Sequence, residues 1–291
     1  TVCVITRGFA PIDTEIMEAS GDLCVVTRTG AGYENVDIAA ATALGIPVLH
    51  APLLAEAVAE GTFTMMLALT KNLYHWHRAL LEGRWDRRTT ERTDELYDKT
   101  LGIVGLGRIG RAVASRALAF DMRVLGYDPY VRDTDLEGLD VTLVSLDELM
   151  SSSDIVTLHS LVTPETEGMI DRAKLRSMKP GGYIVNFGRG ALIDGIDILY
   201  EALEDGHLAG VGLDVFPEEP PTDTDHPLFH HPNFVGDPHV LASTAGAEAR
   251  CSRSVVRDVS AVLRGERPVW CINPEVFEAA NLRPPALGPG A

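Results

Sequence analysis

Short runs of β-branched and aliphatic residues alternate with helical stretches along nearly the whole of this 291-residue chain, and that alternation permits few folds. A strand, a helix and a second strand pack back onto one sheet as a parallel pair, so such a chain builds α/β domains. The first series reads TVCVIT as strand, TEIMEAS as helix, LCVVTRTG as strand, VDIAAATALG as helix and IPVLH as strand. A long helix is expected from Glu56 to Leu81, where Phe63, Met66, Leu69, Leu73 and Trp76 recur at spacings of three and four. Residues 83–100 are polar and lack apolar periodicity, as a connector or surface arm would. A second series opens at Leu101 with LGIVGLG, RIGRAVASRALAF, MRVLGYD, VTLV, DIVTLHS, YIVNFGR and VGLDVF. The last strong helix is EARCSRSVVRDVSAVLRG, and the tail NLRPPALGPGA, rich in Pro and Gly, is expected to fray.

Charge and composition exclude several classes. A formal net charge of −17 argues against nucleic acid, whose phosphates require basic patches. Lys71, Lys99, Lys174 and Lys179 are the only lysines, so arginine carries most of the positive charge. That balance fits either a generic acidic enzyme or one adapted to salt, where strong surface charge preserves solubility. The longest apolar run, FTMMLALT, is closed by Lys71 and is far shorter than a membrane span. Cys3, Cys24, Cys251 and Cys271 form no C-x-x-C pair, which suggests neither a zinc site nor a disulfide framework and fits a reducing cytoplasm. The opening TVCVIT carries no basic leader, and a first residue other than Met suggests a preceding segment. With 26 residues after Gly265, no large C-terminal regulatory domain is expected within this sequence.

Four motifs carry the chemistry. LGIVGLGRIG places Gly105, Gly107 and Gly110 after a strand and at the start of a helix, and MRVLGYD ends on Asp128 eighteen residues later. That is the layout of a dinucleotide site: the glycines admit a tight turn, the pyrophosphate and the helix, and the helix N-terminus attracts negative charge. Asp128 would accept hydrogen bonds from ribose hydroxyls and repel a 2′-phosphate, favouring NAD over NADP, with Arg108 and Arg132 as nearby cations on the other side of the balance. YIVNFGRG ends on Arg189, whose planar fork suits a carboxylate, either a substrate's or a structural partner's. VGLDVFPEEP offers Asp214, Glu218 and Glu219 at a strand's carboxyl end, where doubly wound sheets gather ligands. FVGDPHVLAST puts His239 directly after a proline. His226, His230 and His231 sit in a loop without metal-ligand spacing and read as surface residues.

Together these motifs resemble the D-isomer-specific 2-hydroxyacid dehydrogenase family, which includes phosphoglycerate dehydrogenases and glyoxylate/hydroxypyruvate reductases. The resemblance runs from TRTGAGYENVDIAAATALGIPVLHAP to INPEV and includes VNFGRGALID, EALEDGHLAGVGLDVFPEEP and HPLFHHPNFVGDPH. It implies two doubly wound parallel-sheet domains, a Rossmann cofactor domain (residues 76–265) inserted into a flavodoxin-like substrate domain (residues 1–75 and 266–291), with a cleft that closes over substrate. It implies that Arg189 binds substrate, that Glu219 supports His239, and that His239 handles the proton. Asp214 would meet the nicotinamide end of NAD, and His159 and Thr166 would flank the adenosine. Arg108, Ile109, Phe187 and Gly188, with Arg189 and His239, would complete the cofactor site. The amides of Gly30, Ala31 and Gly32 would help to grip the substrate carboxylate. A homodimer is also implied.

Three places depart from the family pattern. Asp237 stands where T-P-H is usual, Leu161 where a proline is usual, and HAPLLAEAVAE lacks the asparagine often found before V-A-E. An acidic Asp237 facing the site would raise the proton affinity of His239. The leading expectation is NAD-dependent interconversion of a D-2-hydroxyacid and its 2-keto acid. The rivals are an NAD-sensing corepressor-like protein of the same fold and a phosphite or formate dehydrogenase, the last disfavoured by Glu219 where glutamine would be expected.

Overall fold

The computed structural model describes residues 1–8, 10–89 and 93–284; part of the connector and the end of the tail expected to fray lie outside the described residues. Ten strands are described: β1 (Cys3–Thr6), β2 (Val25–Arg28), β3 (Val48–Leu49), β4 (Thr100–Val104), β5 (Arg123–Tyr127), β6 (Thr142–Leu143), β7 (Ile155–Leu158), β8 (Gly182–Asn186), β9 (Leu208–Leu213) and β10 (Phe234–Gly236). The described helices are α1 (Thr14–Glu18), α2 (Ile38–Ala43), α3 (Ala55–Thr70), α4 (Leu73–Leu81), α5 (Arg108–Ala119), α6 (Leu146–Ser152), α7 (Arg172–Ser177), α8 (Asp197–Glu204) and α9 (Ala245–Leu263). None is long and apolar enough to cross a membrane.

The chain divides into two compact units, Thr1–Leu54 with Ser243–Ala291, and Ala55–Ala242. The first holds a parallel sheet in the order β1-β2-β3. Strand alternation explains its two cores. Val26 and Val48 bury one face among Met17, Ile12 and Ala41, under α1 and α2. Val25 and Leu49 bury the other face among Cys251, Val255, Val259 and Val262, a stripe along α9. Buried Asn273 ties the returning chain to this sheet, accepting from Val48 N at 2.8 Å and donating to Ile46 O at 3.1 Å.

The second unit holds a seven-stranded sheet, parallel throughout, in the order β6-β5-β4-β7-β8-β9-β10. Strand order reverses between β4 and β7, the point where ligands bind in doubly wound sheets. Every residue of β4 and β7 is buried, because helices cover both faces. The edge strand β10 escapes the sequence reading: three residues ending in glycine give too short a run to register.

The expected domain boundaries at 75 and 266 do not match these units. Helix α3 is buried on nearly every side, with only Glu56, Glu60 and Thr64 in an exposed stripe, so its sequence marks the solvent edge but not what the rest packs on. It lies on β9, where a Cβ at Gly212 would fall 2.5 Å from Met65 Sδ and one at Gly210 would fall 3.1 Å from Leu69 Cδ2. Helix α9 belongs instead to the first unit, through the stripe just described. The single helix expected over Glu56–Leu81 is two: it breaks at Asn72, whose φ of 48° cannot continue a right-handed helix.

Candidate active site

The carboxyl ends of six strands of the larger sheet carry the residues singled out by sequence. Gly105 follows β4, Asp128 follows β5, His159 follows β7, Arg189 lies three residues beyond β8, Asp214 follows β9, and Asp237 and His239 follow β10. Parallel strands force this convergence, since all seven end on one edge.

At the switch point, Gly105 has a φ of +93°, which an L side chain resists, and a Cβ on Gly110 would lie 2.0 Å from the Gly105 carbonyl oxygen. Gly107 has nothing within 4 Å of where its Cβ would be. Helices α1, α2, α6, α7 and α9 each start on an Asp, Ser or Thr whose side chain accepts a first-turn N–H. Helix α5 starts on Gly107 with no side-chain cap. Gly107 thus offers no side chain to cap the first turn, and open space lies beside it, which fits a bound diphosphate. Asp128 is fixed by two backbone donors, Leu106 N at 2.9 Å and Tyr130 N at 3.0 Å. His159 is half-buried, and desolvation of its ring pushes the imidazole down to about 3 and keeps it neutral. Its Nε2 lies 2.9 Å from Thr157 Oγ1, while its buried Nδ1 has no hydrogen-bond partner. Thr166 braces its own loop, donating to Leu161 O at 2.7 Å and accepting from Thr163 N at 2.8 Å.

Arg189, Glu219 and His239 meet although thirty and twenty residues separate them in sequence. His239 Nδ1 lies 2.8 Å from Glu219 Oε2, and Glu219 Oε1 accepts from Phe216 N at 3.0 Å. That hydrogen bond to Glu219 raises the proton affinity of His239 against the opposing pull of burial; the charges of Glu219 and Asp214 add to it, and Arg189 opposes it. Burial would raise Glu219, but the hydrogen bonds from His239 and Phe216 N outweigh it and hold the carboxyl below its ordinary value. The pair therefore favours an imidazolium–carboxylate state. Half of the His239 side chain faces outward, with 42% of its surface exposed, so the ring can reach a ligand.

Two supports were not legible as such in the sequence. Buried Asn186 donates to Arg189 O at 2.8 Å and accepts from Gly188 N at 3.0 Å, which fixes the backbone that launches Arg189 beyond Phe187 and Gly188. A polar residue ending an apolar strand is the only signal it gives. Asp237 accepts from Val240 N at 2.8 Å and Leu241 N at 3.3 Å through Oδ1, and its carbonyl accepts from His239 N at 3.0 Å. These bonds close a turn in which His239 takes a φ of 58°, the left-handed region that non-glycine residues rarely enter. The expectation that Asp237 acts directly on His239 gives way to a different arrangement. Its charge bears on Asp214, whose carboxyl is pushed up to about 7 by burial and then by the side chain of Asp237.

Gly30, Ala31 and Gly32 form a turn after β2 in the other unit, where Gly30 O accepts from Ala51 N at 3.0 Å and Gly32 O accepts from Arg28 Nε at 3.0 Å. His226 caps a short turn, accepting from Leu228 N at 3.2 Å, and its other ring nitrogen lies 3.0 Å from Asp197. Among the described residues no cluster of three or more His, Cys, Asp or Glu could hold a metal.

Residues 63–240 match the family model described as D-isomer specific 2-hydroxyacid dehydrogenase, NAD binding domain. Over 265 residues the chain is 42% identical to a D-3-phosphoglycerate dehydrogenase of Methanocaldococcus jannaschii, covering 90% of this chain and 50% of that one. It is 38% identical over 287 residues to a glyoxylate reductase of Thermofilum pendens, covering 97% and 83%. The crystal structure of a D-lactate dehydrogenase from Aquifex aeolicus, complexed with NAD and lactic acid, superposes with a TM-score of 0.80 at 32% identity, covering 91% and 83%. The chain spans about half the length of the phosphoglycerate dehydrogenases it matches.

Proposed function

This chain belongs to the D-isomer specific 2-hydroxyacid dehydrogenase family, and from that premise we propose that it interconverts a D-2-hydroxyacid and its 2-keto acid. The observation that carries the reading is the 2.8 Å contact between His239 and Glu219 on the same sheet edge as the Gly105–Gly110 turn. NAD, the cofactor of the matched domain, supplies or accepts the hydride when bound. The α5 N-terminus with Gly107, Arg108, Ile109 and Gly110 would hold its diphosphate, Asp128 its ribose, and Asp214 would lie toward its nicotinamide end.

In the reductive direction negative charge develops on the substrate's carbonyl oxygen. Protonated His239 delivers the matching proton from Nε2, while Glu219 on Nδ1 orients the ring and stabilises its charged form. Arg189 holds the substrate carboxylate through its guanidinium fork. In the oxidative direction neutral His239 takes the hydroxyl proton. The test is a panel of glyoxylate, hydroxypyruvate, pyruvate and bulkier keto acids with NADH. Consumption of NADH with at least one of them is expected. No consumption with any would favour the NAD-sensing alternative.

Cofactor choice gives a second test. Removing the Asp128 carboxylate takes away the acceptor for ribose hydroxyls and the repulsion of a 2′-phosphate. Asp128→Ala is expected to lower the ratio of kcat/KM with NADH to that with NADPH by about tenfold or more. An unchanged ratio in competing kinetics would remove Asp128 from this role.

A homodimer and a cytoplasmic setting complete the proposal. Leu73, Tyr74, Leu80 and Leu81 leave α4 with an exposed apolar surface, an area suited to a partner subunit. All four cysteines are free thiols, as a reducing compartment would keep them.

A further inference from the structure

Strands β9 and β10 run parallel with Leu213 opposite Gly236, so the next residues of each strand, Asp214 and Asp237, are neighbours across the sheet edge. Asp237 N donates to Leu213 O at 3.1 Å and keeps them in register past the strand ends. Asp214 is 3% exposed. One oxygen on each carboxyl is buried without any hydrogen-bond partner: Oδ1 of Asp214 and Oδ2 of Asp237. Two carboxylates side by side offer only acceptors, and two buried charges of one sign repel. A single proton removes both defects, because it turns one carboxyl into a donor for the other.

We propose that Asp214 and Asp237 share one proton at neutral pH and that this carboxyl pair locks the turn presenting His239. The proposal rests on reading His239 as the proton carrier. Asp237 is already committed as an acceptor of two backbone N–H groups through Oδ1, so the proton resides on Asp214 and points to Asp237 Oδ2. Asp237 is a positioning residue: it closes the turn from Asp237 to Leu241 and carries the carbonyl that receives His239 N–H. Loss of the shared proton sets two charges against each other beneath that turn. The other charged groups facing the pair are His239, which opposes protonation of Asp214, and, beyond it, Glu219 and Arg189, which act on His239. Helix α3 brings Gly61 against Leu241 and Phe187 and adds no charge there.

The direct test is a carboxyl-carbon NMR titration of the full chain without cofactor, in wild type and in Asp237→Asn, whose amide can donate to Asp214 without a proton. In wild type one aspartate carboxyl is expected to stay largely protonated at about pH 6, where ordinary aspartates are ionised. In Asp237→Asn that signal should titrate at clearly lower pH, since the like charge is gone while burial remains. Full ionisation in wild type, or a signal unchanged by the substitution, overturns the pair, and neither reading depends on turnover. Thermal unfolding supplies a second measurement. A carboxyl with a raised folded value contributes stability that is present below its unfolded value and lost as pH rises through about 7. The fall in Tm between about pH 5 and pH 8 should therefore be shallower in Asp237→Asn. The positioning role is read from the alkaline side of keto-acid reduction. Wild type should lose rate about 100-fold per pH unit, for two protons lost, and Asp237→Asn about tenfold, for one. Equal slopes with the NMR result intact would leave the pair standing and refute its hold on His239.

Discussion

Alanine at position 239 is expected to slow keto-acid reduction by about 10²–10⁴-fold, the range that a positioned general acid contributes, while leaving NADH affinity largely intact. The split matters, because a collapsed cofactor site would lower both. Stopped-flow hydride transfer alongside NADH fluorescence titration separates them, and a rate near wild type would remove His239 from the chemistry. Glu219→Gln extends the test through pH. Glu219 raises the proton affinity of His239, so the reductive rate of wild type is lost as pH climbs through that raised value. Glutamine keeps a hydrogen-bond partner but removes the charge, so the alkaline loss should begin at lower pH. The oxidative direction, which needs a neutral ring, should shift the opposite way, gaining rate on the acid side.

The second large effect belongs to Arg189. Lysine keeps the charge and loses the planar fork, so one charge-assisted hydrogen bond to the substrate carboxylate disappears. At about 1.5–3 kcal/mol for such a bond, kcat/KM should fall roughly 10- to 150-fold. The loss should appear mainly as a raised KM for the keto acid, with NADH affinity changed little. Unchanged KM would make Arg189 a structural partner of Glu219 and nothing more.

The parts of this architecture that sequence exposes are those where one backbone demand admits few residue types. Gly105, Gly107 and Gly110 are legible because a turn this tight tolerates no side chain at the first and last of them. The larger parallel sheet is legible because its central strands β4 and β7 are buried on both faces and read as largely apolar runs. What stays hidden depends on partners distant in sequence. Helix α3 is apolar around most of its circumference, with only the stripe Glu56, Glu60 and Thr64 exposed, so its pattern could not assign it to one unit or the other. The break at Asn72 is invisible for a related reason, since asparagine is tolerated in either backbone state and the apolar spacing continues across it. Asp237 was visible as an oddity beside His239, but its effect runs through Asp214, and only the register of β9 and β10 makes them neighbours. Arg189, Glu219 and His239 are legible only through motif resemblance; their individual spacing in the chain says nothing about proximity.

The imidazole is delivered by a main-chain conformation that costs a non-glycine residue about 1–3 kcal/mol. Heat resistance and reactivity consequently pull in opposite directions at this one codon. A library of variants at 239 sorted only for survival on warming should drift toward glycine or asparagine, which accept the left-handed backbone with less strain. The same library sorted for product formation should return histidine.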